Sequence, residues 1–383
     1  MDTQHTPDEI QLLILCTKVS LSPEDILSIE DLSFKIEMPY HVLIKLAYQH
    51  AVIPQLYHTF KTNFPEHPIT QITKPYYFSI IQTNMAMSSD LIKITELLNS
   101  QYIHTLCFKG PGLATQAYGD ITLRQYGDLD ILIRKQDKDK ALTLLFQKKY
   151  IPEITLHPYS KKTFFSKVNV LGFQSPQKHV FVEIHWELLS KNYAIQWDES
   201  NLWEETQNIY INEKQLKTLS HTNHFLYLCA HGSKHLYERL SWVSDIDHYI
   251  QTQSLHWEEI FTEAKSLGIV RILLISLYLA KSLLNTPLPK EVTTKIAQDP
   301  IVKKIVKEII FLHFSNILHN EKSIHSFRLL WNMREKVSDK LRFAWYALFA
   351  TKLDDFRFIQ LPPYLDFFYT VIRPLRLLIK YLK

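Results

Sequence analysis

The sequence predicts an α+β protein: a small mixed β-sheet core embedded between an N-terminal and a C-terminal helical domain. Three observations predict it. Apolar residues recur at helical spacing up to about residue 99 and again beyond about residue 191. Between these stretches, short apolar runs alternate in the manner of strands. Four of the 7 glycines (Gly110, Gly112, Gly119 and Gly127) fall in that central region, where backbone must bend sharply or approach a ligand. The expected division is 1–99 helical, 100–190 α/β core and 191–383 helical.

In the first region Pro7, Pro23 and Pro39 each precede an apolar-periodic stretch, as prolines at helix starts do. Met38 to Ala51 places Val42, Leu43, Leu46 and Ala47 on one helical face, and Ile72 to Leu98 reads as one long helix starting after Pro75. In the core, His104 to Phe108 is a short buried strand and Asp128 to Ile133 a second. Asp137 to Lys149 is a helix, and Phe164 to Val170 and Val180 to Trp186 are further strands, giving a β-α-β-α-β-β order. Beyond residue 191, helices are expected at Asn223 to Leu236, Trp242 to Gln251, Trp257 to Leu267, Val270 to Leu284, Ile301 to Leu318 and Ser338 to Thr351.

Composition sets bounds on function. Hydrophobic residues make up 46% and charged residues 21% of the 383, ordinary for a folded globular chain. A net charge of +4 demands no nucleic-acid partner but permits a local basic site for a phosphorylated ligand. Cys16, Cys107 and Cys229 are sparse and lack metal-ligand spacing, which points to a reduced, cytoplasmic compartment rather than a disulfide framework. Met1 to Glu9 is polar and acidic, unlike a secretory signal, and no run of about 18 uncharged apolar residues occurs.

The acidic residues carry the chemistry. On a strand, Asp128 and Asp130 project to one face with Cα atoms roughly 6.6 Å apart. Two carboxylates so placed repel unless a cation lies between them, and oxygen ligands suit Mg2+ or Mn2+. In Phe181-Val-Glu-Ile-His-Trp186, alternation puts Glu183 and His185 on one face and Val182, Ile184 and Trp186 on the other. An acid flanked by Val and Ile fits a strand face that opens onto water or metal, so Glu183 is the expected third carboxylate of a two-metal site.

The ordered set Phe108-Lys-Gly-Pro-Gly-Leu113, Tyr118-Gly-Asp120, Arg124, Gly127-Asp-Leu-Asp-Ile-Leu-Ile133 and Glu183-Ile-His-Trp-Glu-Leu188 closely resembles the uncharacterised nucleotidyltransferase family of bacteria, within the polymerase-β-like superfamily. The likeness extends to His231-Gly-Ser-Lys-His235, Trp242-Val-Ser-Asp-Ile246 and Arg373-Pro-Leu-Arg376. The resemblance implies a mixed sheet carrying Asp128, Asp130 and Glu183 as catalytic and metal-binding acids, a divalent metal, and an NTP (ATP among them) as donor. It does not imply the acceptor. One departure stands out: the superfamily's Gly-Ser pair after the first strand is Lys109-Gly110 here, so charge from Lys109 replaces a serine hydroxyl in the expected phosphate contact.

Supporting residues have two uses each. Lys109 and Gly110 sit where a helix start and a lysine favour phosphate. Arg124 can clamp a phosphate bidentately or pair with an acid. His185 can orient a metal ligand, touch the acceptor or be a satisfied half-buried histidine. His231 and His235, with Lys234 between them, form a polar helix face expected to line the cleft and meet nucleotide or acceptor. Arg373, Arg376, Lys380 and Lys383 share one face of an amphipathic C-terminal helix. Such a helix suits a weak membrane-surface contact or an RNA-facing stripe, but more commonly docks its apolar side and leaves its charges in water. The expected function is metal-dependent transfer of a nucleoside monophosphate. The alternative is a catalytically inactive nucleotide-binding or scaffold protein that retains the fold.

Overall fold

The structure is a computed structural model that describes residues 6–176, 180–190, 193–314 and 324–382, with residues 324 and 380–382 described by backbone alone. Helices α1 (Asp8–Cys16), α2 (Pro23–Lys35), α3 (His41–Gln49), α4 (Ile53–Asn63) and α5 (Pro68–Asn99) come first. The core follows as β1 (Thr105–Cys107), α6 (Gly110–Leu113), β2 (Leu129–Ile133), α7 (Lys138–Gln147), β3 (Ile151–Pro152), α8 (Lys161–Lys167), β4 (Val170–Gln174) and β5 (Phe181–His185). Next come α9 (Glu199–Glu204) and the hairpin strands β6 (Thr206–Ile211) and β7 (Lys214–Leu219). The chain continues through α10 (His221–Lys234), α11 (Leu240–Thr252), α12 (Trp257–Ser266), α13 (Val270–Leu284), α14 (Lys290–Gln298) and α15 (Pro300–Phe314). It finishes with α16 (Ile324–Asn332), α17 (Val337–Phe349), α18 (Leu353–Phe358) and α19 (Tyr369–Leu382). The expected α+β class, a small mixed sheet with helices at both ends, is what the chain adopts.

The five-stranded sheet has the order β1-β2-β5-β4-β3, with only the β2–β5 pair parallel. Its alternation divides the side chains by face. Leu129, Ile131 and Ile133 of β2 join Val182 and Ile184 of β5 in a buried apolar cluster, backed by Leu91, Ile94 and Leu98 of α5 and by Leu142 and Leu145 of α7. The opposite face carries Asp130, Glu183 and His185. There the loss of apolar burial is offset only where those groups find partners.

Several expectations shift. Helix α5 begins at Pro68 and runs through Pro75. Pro68 takes the first helical turn, where its missing N–H costs nothing, and the His67 ring accepts from the Ile69 amide at 3.2 Å. Phe164 to Val170 is not a strand: α8 covers its first part, because Phe164 packs on Phe356 and its neighbour Phe165 on Trp186, a pair of directions a helix supplies. The β6–β7 hairpin falls within the region expected to be a helical domain and turns on Asn212 and Glu213, both at positive φ. The C-terminal helix is inverted relative to expectation. Arg373 is buried, its guanidinium 3.0 Å from Asp355, and Arg376 donates to the same carboxylate at 2.8 Å, while Val371, Leu375 and Leu378 are exposed. The Lys380 side chain, Lys383, residues 1–5 and the last four residues of the expected Ile301 to Leu318 helix lie outside the described residues.

Two buried histidines join distant elements. The His224 ring of α10 donates to the Phe108 carbonyl at 2.8 Å, just after β1. The His50 ring accepts from the Leu240 amide at 3.2 Å, joining the end of α3 to α11. Burial pushes both imidazoles down to about 4. The unfolded chain therefore binds more protons once pH falls below about 6.5, and stability present above that pH is lost on the way down to about 4. Near pH 5 each histidine accounts for about 2 kcal/mol. Urea unfolding at pH 5 and pH 7 checks this; equal stability at the two pH values contradicts it.

Candidate active site

Parallel pairing of β2 with β5 sets Asp130 directly beside Glu183, and Leu132 beside His185. The His185 Nε2 lies 3.0 Å from Asp130 Oδ1 and 3.1 Å from Glu183 Oε2. The Lys109 ammonium, arriving from the end of β1, donates to the same Asp130 Oδ1 at 2.8 Å. Burial alone raises the Asp130 carboxyl, but the Lys109 charge and the hydrogen bond with His185 outweigh it and hold the group well below the usual carboxylate range. His185 moves the other way: burial disfavours its charged form, yet its bonds to Asp130 and Glu183 prevail and raise its pKa. Asp128 sits one residue before β2, half-buried. The neighbouring Asp130 charge, followed by burial, pushes its carboxyl up to about 6.

These residues fit a divalent cation. One donor atom each from Asp130, Glu183 and His185 lie within 4.8 Å of one another. The second oxygen of Asp130, Oδ2, is buried without a hydrogen-bond partner, a costly state that a cation relieves. Asp128 is a further carboxyl whose ionisation is opposed by its acidic neighbours.

The acids form the floor of a cavity of about 370 Å³. Gly110 reaches the wall with φ +52°, and a side chain there would approach the Asp128 carbonyl to 3.3 Å, so the turn after β1 closes tightly on the loop before β2. Asn84 of α5 fixes that loop from behind, donating to the Ile121 and Arg124 carbonyls at 2.7 and 2.8 Å. Arg124 and Asp245 of α11 form a buried two-bond ion pair at 2.8 and 2.9 Å, and Tyr118 adds its hydroxyl to the same carboxylate at 2.8 Å.

The opposite wall is the end of α10. His231 and His235 both contact the Trp242 ring. Burial and the nearby lysines keep both imidazoles neutral, far below their ordinary value for His231 and down to about 3 for His235. Lys234 lies 5.1 Å from the centre of the Tyr193 ring. Burial, then the Lys109 charge, pushes its ammonium down to about 8. Among the described residues it has no ion-pair partner.

Of the site residues expected from the sequence, Lys109, Gly110, Arg124, Asp128, Glu183, His231, Lys234 and His235 line this cavity, and Asp130 and His185 do not. Asp130 lies beneath, fully covered by Lys109 and His185. His185 is a partner of the acids and not a wall residue. The site also uses Trp242, Tyr118 and Tyr227, for which the sequence alone indicates no individual role, and Asp245, which it offers only as a helix cap or cleft residue. Tyr118, Trp242 and Asp245 carry a signal through the ordered set of motifs, and Tyr227 carries none.

The sequence model of the family described as uncharacterised nucleotidyltransferase matches residues 38–285, well over half of the chain. Among solved structures, the lincomycin-bound lincosamide antibiotic adenylyltransferase LnuA is similar at 14% identity with a TM-score of 0.31, covering 43% of this chain and 97% of its own. An antigenic nucleotidyltransferase-like protein from Paracoccidioides brasiliensis is similar at 13% identity with a TM-score of 0.35, covering 59% of this chain and 92% of its own. No curated protein matches the sequence. The match across the sheet, the acids and both cavity walls places the chain in the uncharacterised nucleotidyltransferase family.

Proposed function

We propose that the protein transfers a nucleoside monophosphate from an NTP to a small-molecule acceptor, with Asp128, Asp130 and Glu183 holding Mg2+ or Mn2+. The observation that carries this reading is the parallel register that sets Asp130 beside Glu183, which lines a cavity walled by cations. When bound, the divalent metal supplies charge stabilisation for the triphosphate and the attacking oxygen. The protein's own groups do the rest. His185 bridges two acids and holds their carboxylates in register. Lys109 and Lys234 supply positive charge to the phosphates. Arg124, spent on Asp245, fixes the wall and does not clamp a phosphate.

A second cleft of about 830 Å³ adjoins the cavity and shares Ala51, Gln125, Tyr126, Gly127, Glu238 and Arg239 with it. Its remaining wall comes from α3, α5 and α15 and mixes Tyr48, Tyr76, Ser79 and Thr83 with Leu46 and Ile80. Clefts of this size and mixed polarity hold small organic molecules, so this one is assigned to the acceptor.

The inactive alternative has one observation in its favour: Lys109 and His185 already satisfy Asp130 Oδ1. Incubation with each α-labelled NTP, Mg2+ or Mn2+, and a pool of hydroxylated metabolites separates the two. Label transfer or pyrophosphate release supports the enzyme. NTP binding without turnover in either metal supports the inactive protein, and a folded protein that binds no NTP overturns both.

A further inference from the structure

Helix α19 is turned inside out for a helix that ends against a protein core. Its two arginines point inward to Asp355, and Val371, Leu375 and Leu378 face solvent at 53%, 55% and 56% exposure. Packed beside it, α17 presents a second apolar stripe. Val337, Leu341, Trp345 and Leu348, at helical spacing, are 69%, 60%, 60% and 43% exposed. Phe367 and Phe368, just before α19, are exposed and stacked on each other at 4.2 Å. Scattered apolar residues on a surface are ordinary, but contiguous stripes on adjacent helices mark an interaction face.

The charges around this face are sorted by sign. At 3.6 residues per turn, Lys340 and Arg342 lie about 100° to either side of the α17 stripe, and Lys336 is exposed at its start. The acids nearby are turned to other work: Asp366 pairs with Lys167 at 3.5 Å, Glu335 accepts from the Arg271 amide at 3.1 Å, Asp339 of α17 lies against Gly268, Asp354 pairs with Arg357 at 3.6 Å, and Asp355 holds the two arginines. An apolar band with a tryptophan, edged by lysine and arginine, has the layout of a surface that lies in a lipid interface. No helix of the described residues is long and apolar enough to cross a membrane, so such contact is peripheral.

We infer that the exposed apolar face of α17 and α19, with its basic edge, docks the protein on membranes rich in anionic headgroups. This does not depend on the catalytic proposal, because none of these residues lines the cavity.

Flotation of the full chain with vesicles of phosphatidylcholine and phosphatidylglycerol tests it, alongside vesicles of phosphatidylcholine alone. The wild type is expected to favour the anionic vesicles by about tenfold at low salt. Leu341→Glu and Leu375→Glu each remove most of that binding, and Arg342→Glu weakens it while leaving the apolar face whole. Because all three positions are exposed, unfolding midpoints stay near the wild-type value, which separates lost docking from lost fold. Failure of the wild type to float, or equal binding to both vesicles, overturns the inference. So does a dimer in solution that Leu375→Glu dissociates without any vesicle binding by the wild type, since a second copy then covers the face.

Discussion

Asp130→Asn is expected to reduce NTP turnover by at least about 10³-fold, about 4 kcal/mol of transition-state stabilisation, while the protein stays folded. The reason lies in the floor of the cavity. Asp130 is the one acid in contact with both Lys109 and His185, and it keeps a buried oxygen without a protein partner. Its amide replacement keeps the shape but removes the charge that a divalent cation requires. The substitution also deprives Lys109 and His185 of their anion, yet it removes a carboxylate that burial disfavours, so the two effects on folding oppose each other. Steady-state turnover with a thermal melt of the same sample checks the prediction. Turnover within tenfold of wild type would remove Asp130 from the metal site.

Asp245→Ala is expected to destabilise the fold by about 3–5 kcal/mol, more than any other single change at the cavity wall. The carboxylate accepts two bonds from Arg124 and one from Tyr118, and the Arg124 and Asp245 side chains are only 9% and 2% exposed. Truncation leaves a guanidinium buried without its counter-charge, next to a tyrosine hydroxyl that has lost an acceptor. Asp245→Asn, which keeps an acceptor oxygen, is expected to fall between the two. The check is the urea midpoint at constant slope. A loss below about 1 kcal/mol would mean that Arg124 finds another partner, and would return it to the phosphate-binding role expected from the sequence.

That difference over Arg124 shows what a sequence can and cannot convey here. Strand alternation was enough to put Glu183 and His185 on one face of β5, because a period of two needs only local residues. The pairing of Asp130 with Glu183 depends on register across 53 positions; the Val and Ile flanking Glu183 nominate it as a partner acid and the motif set reinforces it, but no local rule gives the register itself. The partner of Arg124 lies 121 residues away on α11, where nothing in the local pattern points to it. The same holds for α19. Its period announced one apolar and one basic face, but which of them docks is decided by Asp355, 18 residues before Arg373. At α8 the short run around Phe164 was ambiguous between periods, and contacts with Phe356 and Trp186 settled it. The β6–β7 hairpin did leave a trace, an alternating run ending in Ile211-Asn212-Glu213, but without the glycine that usually marks such a turn.

If these acids hold divalent metal together with a nucleotide, Mn2+ titrated into the wild-type protein with a non-hydrolysable NTP binds tightly only when nucleotide is present, as read by electron paramagnetic resonance, and that binding is lost in Asp130→Asn. Folded wild-type protein that binds no Mn2+ with or without nucleotide, or an Asp130→Asn variant that binds it equally well, would mean that the acids do not form the metal site.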